Sequence, residues 1–289
     1  MGIQQILRNA LPELPKKLAL AARYALDHPD QMALNSMRRT STEVGVTSTT
    51  MLRLARQLGF DSYDNFRASF QKELVRGVFG TRADALHQDQ IASQDNAATA
   101  ENLSDRVLIA AEINIRNARA TLRQDDLDAV ATRLRAATNV YIVGSGALFW
   151  LASMMKNTGN MILDNLRLIG TEYSVAAEAM GALGPDDLVI GFGVNPCAQR
   201  TVDALQYARG RGAFVVAMTD RPSSPLAEGA EIVLCAETSS PHYYPSIAPL
   251  LTIVEALLAT VVAKGDGTEL QRIQEFETIR RRSGRYTEQ

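Results

Sequence analysis

A chain of 289 residues with 46% hydrophobic side chains can bury one large core or two ordinary ones, which defines a globular protein. No run of about 18 apolar residues appears, and the start "MGIQQILRNALPELPKK" has no basic segment leading into an apolar stretch and a small-residue cleavage site; a cytoplasmic protein with no membrane partner is expected. Cys197 and Cys235 are too few for a disulfide framework and lack metal-ligand spacing, as do His28, His87 and His242, so neither a metal nor another cofactor is expected.

The net charge of −2 conceals an asymmetry: residues 1–82 carry 12 Lys and Arg against 7 Asp and Glu, whereas residues 83–289 carry 18 against 25. The N-terminal part therefore favours a polyanionic partner. Its periodic segments, "LPELPKKLALAARYALDHP", "SMRRTSTEVGV", "TSTTMLRLARQLGF" and "SYDNFRASFQKELVRGVF", place apolar residues three and four apart, so residues 1–82 are expected to form an all-α domain. In "SMRRTSTEVGVTSTTMLRLARQLGF" a short helix reaches Gly45 and Val46, and Thr47 is placed to cap a second helix with its hydroxyl. On that helix Met51, Leu54, Ala55 and Leu58 form an inward stripe, while Ser48, Thr49, Thr50, Arg53 and Arg56 lie opposite. Small hydroxyl residues let a helix N-terminus approach a phosphate or base edge, and arginines one turn on reach phosphate or guanine. The expected DNA-contacting set is Arg38, Thr47, Ser48, Thr49, Thr50, Arg53 and Arg56. An ordinary helical hairpin with a solvated polar face has the same spacing.

The run "GVTSTTMLRLARQLGFDSYDNFR" resembles the helix-turn-helix signature of the MurR/RpiR family of bacterial transcriptional regulators, matched here by Thr47, Thr50, Arg53, Leu58-Gly59-Phe60, Tyr63 and Phe66. The resemblance implies double-stranded operator DNA as a partner. It departs at Thr40-Ser41, where the family usually has leucine-alanine packed on the recognition helix; the Thr40 hydroxyl then needs a hydrogen-bond partner. Phe60, Tyr63, Phe66 and Phe70 are expected to pack in the core.

The stretch "GTRADALHQDQIASQDNAATAENLSD" is poor in large apolar residues and marks the domain boundary, with a linker containing a helix expected over 83–119 and a second domain over 120–289. Downstream, "NVYIVGSG", "LRLIGT", "DLVIGFG", "AFVVAMTD" and "EIVLCAE" alternate with helical stretches, the pattern of a five-stranded parallel sheet in an α/β fold covered on both faces. Residues from about 120 to 270 resemble the sugar isomerase (SIS) domain that follows the helix-turn-helix in that family, most specifically in "TDRPSSPLAEGAE". In that segment Asp220 is expected to close a strand, and Ser224-Pro225-Leu226-Ala227 to form a short turn and helix.

Parallel open sheets bind ligands beyond the carboxyl ends of their strands. The expected effector contacts are therefore Ser145 and Gly146, Gly193, Asn195 and Arg200, Thr219 and Asp220, and Ser239, Ser240 and His242. Sugar-phosphate-binding SIS domains typically carry a serine-x-serine-glycine-x-threonine loop after the third strand, and here those positions are Gly193, Asn195, Pro196 and Ala198. In the first loop Leu148 stands where a serine is often found. Two alternatives follow: a small effector that is not a typical sugar phosphate, its carboxylate (as in a sugar acid) or differently placed phosphate (as in a sugar phosphate) held by Arg200, or a vestigial pocket in a domain that only dimerises. "TSSPHYYPSIAP", rich in hydroxyls and aromatics after a strand end, favours the first. A sugar-phosphate isomerase is the alternative of another class, with Glu255 and His242 as the nearby candidate bases; no catalytic residue is expected. A regulator of carbohydrate metabolism would act as a homodimer or homotetramer presenting paired recognition helices. The tail "RRRSGR" is expected to be a frayed, solvated terminus.

Overall fold

The structure, a computed structural model, describes residues 2–76, 78–94, 102–170 and 176–283. It divides into two compact units, Met1–Val107 with Ser240–Tyr244, and Leu108–Ser239 with Pro245–Gln289.

The first unit is helical: α1 (Ile3–Ala10), α2 (Lys16–Asp27), α3 (Pro29–Leu34), α4 (Met37–Val44), α5 (Ser48–Gln57), α6 (Tyr63–Arg76) and α7 (Val78–Gln94). Its core buries Leu7, Met32, Met51, Leu54, Phe66 and Phe70. Phe66 meets Phe70 edge-on at 5.1 Å and Phe60 at 5.4 Å between ring centroids, a favoured aromatic arrangement, so these rings fill the core as expected. Two helical segments lie outside the periodic segments of the sequence: α3, too short for a repeating apolar stripe, and α1, whose Ile3, Ile6, Leu7 and Ala10 do fall three and four apart. α7 covers part of the linker in which a helix is expected, without a marked apolar face.

In the second unit α8 (Leu103–Thr121), most of which belongs to it, precedes α9 (Gln124–Ala136), β1 (Val140–Gly144), α10 (Ala147–Gly159), β2 (Leu166–Gly170), the one-turn α11 (Ala176–Ala179), β3 (Leu188–Gly193), α12 (Gln199–Gly210), β4 (Phe214–Thr219), β5 (Ile232–Cys235), α13 (Ala248–Ala263) and α14 (Thr268–Arg282). The strands form one parallel sheet in the order β2-β1-β3-β4-β5. Every residue of β1 and β3 is buried, which is why these segments read as unbroken apolar runs rather than alternating ones. Tyr141, Val143, Val189, Val215 and Ala217 share a core with Val202, Leu205 and Ala208 of α12. Alternation along the strands turns Ile142, Ile190 and Val216 to the opposite face, where α9, α10 and α13 pack.

Two expectations are corrected. Residues 221–230 contain turns and no helix, because Ser224 and Pro225 hold a tight bend in which the Ser224 hydroxyl accepts the Leu226 N–H at 3.3 Å. Arg280, Arg281 and Arg282 form the last turn of α14 rather than a frayed end, and the rest of the tail, 284–289, lies outside the described residues. Among the described residues no single helix is long and apolar enough to cross a membrane.

A buried carboxylate ties the start of the sheet together. Asp187, 6% exposed, accepts the Asn139 N–H at 3.0 Å, the Asn139 side-chain amide at 3.1 Å and the Gly184 N–H at 2.9 Å. Asp187→Ala leaves these partly buried donors without their acceptor and is expected to destabilise the α/β unit by about 2 kcal/mol. Urea denaturation of the full chain reads this directly, and an unchanged midpoint would contradict it.

Candidate DNA-contacting helix and effector edge

The candidate DNA-contacting helix owes its position to two caps and a glycine. The Ser36 hydroxyl accepts the Arg39 N–H at 3.4 Å to open α4, and Gly45 closes it at φ 73°, a left-handed conformation that glycine adopts without steric cost. The Thr47 hydroxyl then accepts the Thr50 N–H at 3.2 Å to open α5. Ser41 and Ser48 hydroxyls meet at 3.1 Å, and Thr47 and Thr50 hydroxyls at 2.9 Å. Thr47, Ser48 and Thr50 thus brace the turn as well as lining its outer side. The buried Thr40 hydroxyl finds its partner in its own helix, donating to the Ser36 carbonyl at 3.2 Å.

Met51, Leu54 and Ala55 are buried and hold the inner face of α5 in the core. Arg38, Thr49, Arg53 and Arg56 are exposed, and among the described residues no carboxylate pairs with Arg38, Arg53 or Arg56. Their neighbour Arg39 differs. It pairs with Glu43 at 3.1 Å, and Glu43 also accepts the Tyr24 hydroxyl at 2.6 Å and the Asn35 amide at 3.3 Å. The Tyr24 hydrogen bond first, then Arg39, holds the Glu43 carboxyl below its ordinary range. Arg39 is therefore partly neutralised within the fold, whereas Arg38, Arg53 and Arg56 leave positive charge on the outer side.

In the second unit the strand order reverses between β1 and β3, the place where open parallel sheets hold ligands. Ser145 follows β1, with its hydroxyl 3.0 Å from that of the buried Thr201 on α12. Gly146, at φ 58°, turns the chain into α10. Gly193 ends β3 beside Thr219, and a Cβ there would lie 2.7 Å from the Leu226 side chain, so its missing side chain serves packing. Thr219 is fully buried and donates to Asp220 at 3.3 Å, standing behind the edge rather than on it.

Asp220 also accepts the Asn195 N–H at 3.2 Å, Arg221 donates to the Asn195 side-chain oxygen at 3.2 Å, and Cys197 meets the Ser224 hydroxyl at 3.4 Å. The loops after β3 and β4 are thereby joined, with a cis Asn195–Pro196 peptide between the two contact points. Burial pushes the Cys197 thiol up and the Cys235 thiol to about 11, which disfavours thiolate chemistry. Among the described residues no group of three or more His, Cys, Asp or Glu is arranged to hold a metal ion.

The structure therefore brings Ser145, Gly146, Gly193, Asn195, Thr219 and Asp220 to adjoining strand ends. Arg200 lies exposed on the first turn of α12, and Ser239 is exposed with its carbonyl accepting the Asn114 amide at 2.7 Å. Ser240 and His242 are grouped with the helical unit, where the Ser240 hydroxyl accepts the His242 N–H at 3.2 Å and His242 Nδ1 accepts the Tyr244 N–H at 3.1 Å. Thr201 and Arg221 are absent from the expected set. Both adjoin motif residues, and only the folded loops reveal their polar contacts.

A helix-turn-helix unit followed by a parallel-sheet SIS domain defines the class of a transcriptional regulator. Residues 1–77 match the helix-turn-helix domain of the rpiR family, and residues 133–263 match the SIS domain. An uncharacterized HTH-type transcriptional regulator of Haemophilus influenzae is 24% identical over 229 residues, 79% of this chain and 76% of that protein. The sugar isomerase domain of an RpiR transcription factor from Sphaerobacter thermophilus is 25% identical, covering 62% of this chain and 99% of that one with a TM-score of 0.59. The Vibrio vulnificus NanR protein, in a complex with ManNAc-6P, shares the fold over 99% of this chain and 100% of its own at 16% identity and a TM-score of 0.62. This chain belongs to the rpiR family of helix-turn-helix transcriptional regulators.

Proposed function

We propose that the chain binds operator DNA through the outer side of α5 and responds to a small polar metabolite held at the carboxyl edge of its sheet. The observation that carries this is the exposed Arg53 and Arg56, which no described carboxylate pairs, on a helix whose other face is locked in the core, within a chain that also contains a SIS sheet with a polar edge. The ManNAc-6P bound by the NanR protein supports a sugar derivative as the effector class. Two subunits present two recognition helices to the halves of a roughly palindromic operator, and the effector acts by binding one arrangement of those helices more tightly than the other.

An isomerase is less well supported. Glu255 is exposed on α13, and His242 Nδ1 is engaged by the backbone of its own loop. We assign the chain no catalytic activity.

The test is fluorescence anisotropy of the full chain on duplexes from the region upstream of its gene, with and without sugar phosphates and sugar acids. The expected result is salt-dependent binding whose affinity changes at least about fivefold with one effector class. Failure to bind any duplex would overturn the proposal; DNA binding that no metabolite alters would leave the sheet domain an assembly module.

A further inference from the structure

The loop after β4 carries a second arginine in a setting unlike that of Arg200. Arg221 follows Asp220 directly and is half-buried, whereas Arg200 is exposed on α12. One terminal nitrogen of Arg221 donates to the Asn195 side-chain oxygen at 3.2 Å. Its Nε is enclosed and has no hydrogen-bond partner among the described residues, an unfavourable state for a charged donor. No described carboxylate forms an ion pair with it: the neighbouring Asp220 is engaged by the Asn195 N–H and the Thr219 hydroxyl. The guanidinium is nevertheless held in place, because the Asn195 and Asp220 loops are joined twice over, by these bonds and by the Cys197–Ser224 contact. Alongside, the loop Gly193-Val194-Asn195-Pro196-Cys197-Ala198 carries no hydroxyl of its own, so Arg221 is the cationic donor that this pair of loops presents.

We infer that Arg221 binds the anionic group, carboxylate or phosphate, of a small polyhydroxylated ligand at the carboxyl edge of the sheet, with Asp220 accepting from the ligand's hydroxyls. The inference rests on the effector role proposed above. A guanidinium offers paired donors in a rigid fork that matches both anions, and a fork already held by Asn195 loses little freedom on binding.

The test uses the full chain and six probes: D-glucose 6-phosphate and N-acetylmannosamine 6-phosphate, D-glucuronate and D-gluconate, with neutral D-glucose and N-acetylmannosamine as controls. Melting curves find the probe that stabilises the protein, and calorimetry then gives its Kd for wild type, Arg221→Ala and Arg221→Lys. Circular dichroism verifies that each variant is folded; Arg221→Lys keeps the charge and most of the stem, should alanine prevent folding. The expected result is stabilisation by a phosphate or a carboxylate probe and not by its neutral counterpart, with binding weakened at least about tenfold by Arg221→Ala and less by Arg221→Lys. Whichever anionic arm responds identifies the group. Wild-type affinity in both Arg221 variants, or equal stabilisation by the neutral sugar, would overturn the assignment while leaving a metabolite sensor in place. No response of the wild-type protein to any probe would overturn the effector role and this inference together.

Discussion

Arg53→Ala is expected to weaken binding to the operator duplex by about 5-fold to 150-fold while leaving the melting temperature of the protein unchanged. The range is that of one bidentate arginine contact to a base edge, about 1–3 kcal/mol. The side chain is exposed on α5, with no ion pair among the described residues, so its removal takes nothing from the core beneath it. The mode of contact is also readable. If Arg53 meets a phosphate, affinity falls about equally on all sequences and the slope of log affinity against log salt drops by about 1; if it meets a base, discrimination at one position relaxes instead. Anisotropy titrations over a salt series, on the operator and on scrambled duplexes, separate these cases. Unchanged affinity throughout would remove Arg53 from the DNA-contacting surface.

Leu54→Ala, one residue along the same helix, is expected to act in the opposite way. Leu54 is fully buried in the cluster that contains Met51, Phe66 and Phe70. Truncating a leucine in such a site costs about 2–5 kcal/mol, from lost transfer free energy and the cavity left behind. That is a large share of the stability of a small helical unit. DNA binding is then expected to fail at 37 °C through unfolding of this unit, whereas the sheet unit, whose core cluster contains no residue of α5, keeps its own transition. Calorimetry of the full chain shows whether the transitions part in this way. Retained DNA binding with an unshifted helical transition would contradict the packing described for α5.

These two neighbouring residues also show what was legible in the sequence. The division of α5 into an inner and an outer face follows from the 3.6-residue period, and its start follows from Thr47 after a glycine turn; both are local properties, and both appear in the fold. The central apolar runs β1 and β3 are legible as parallel strands for a similar reason, since strands buried on both faces leave no polar positions to interrupt them, whereas the edge strand β2 carries the exposed Arg167. For α7 a helix is expected in the linker but not its bounds, because helix propensity without an apolar stripe leaves no periodic mark.

The candidate ligand edge divides along the same line. That ligand contacts belong after β1, β3 and β4 follows from strand direction alone, and Ser145, Asn195 and Asp220 do stand at those ends. Which side chains face a ligand does not follow. Thr219 lies behind Asp220, Gly193 makes room for Leu226, and Arg221 is fastened to Asn195 across a separation of 26 residues.

By itself the sequence determined the helix-turn-helix and the strand count, because periodicity, capping and turn chemistry act over a few residues and leave their mark in order along the chain; the family came from the resemblance of its motifs. Only the tertiary structure decided which arginine is anchored and which is exposed. Hydrogen bonds between separate loops depend on where the sheet brings their strands together, and distances of that kind are properties of the folded chain.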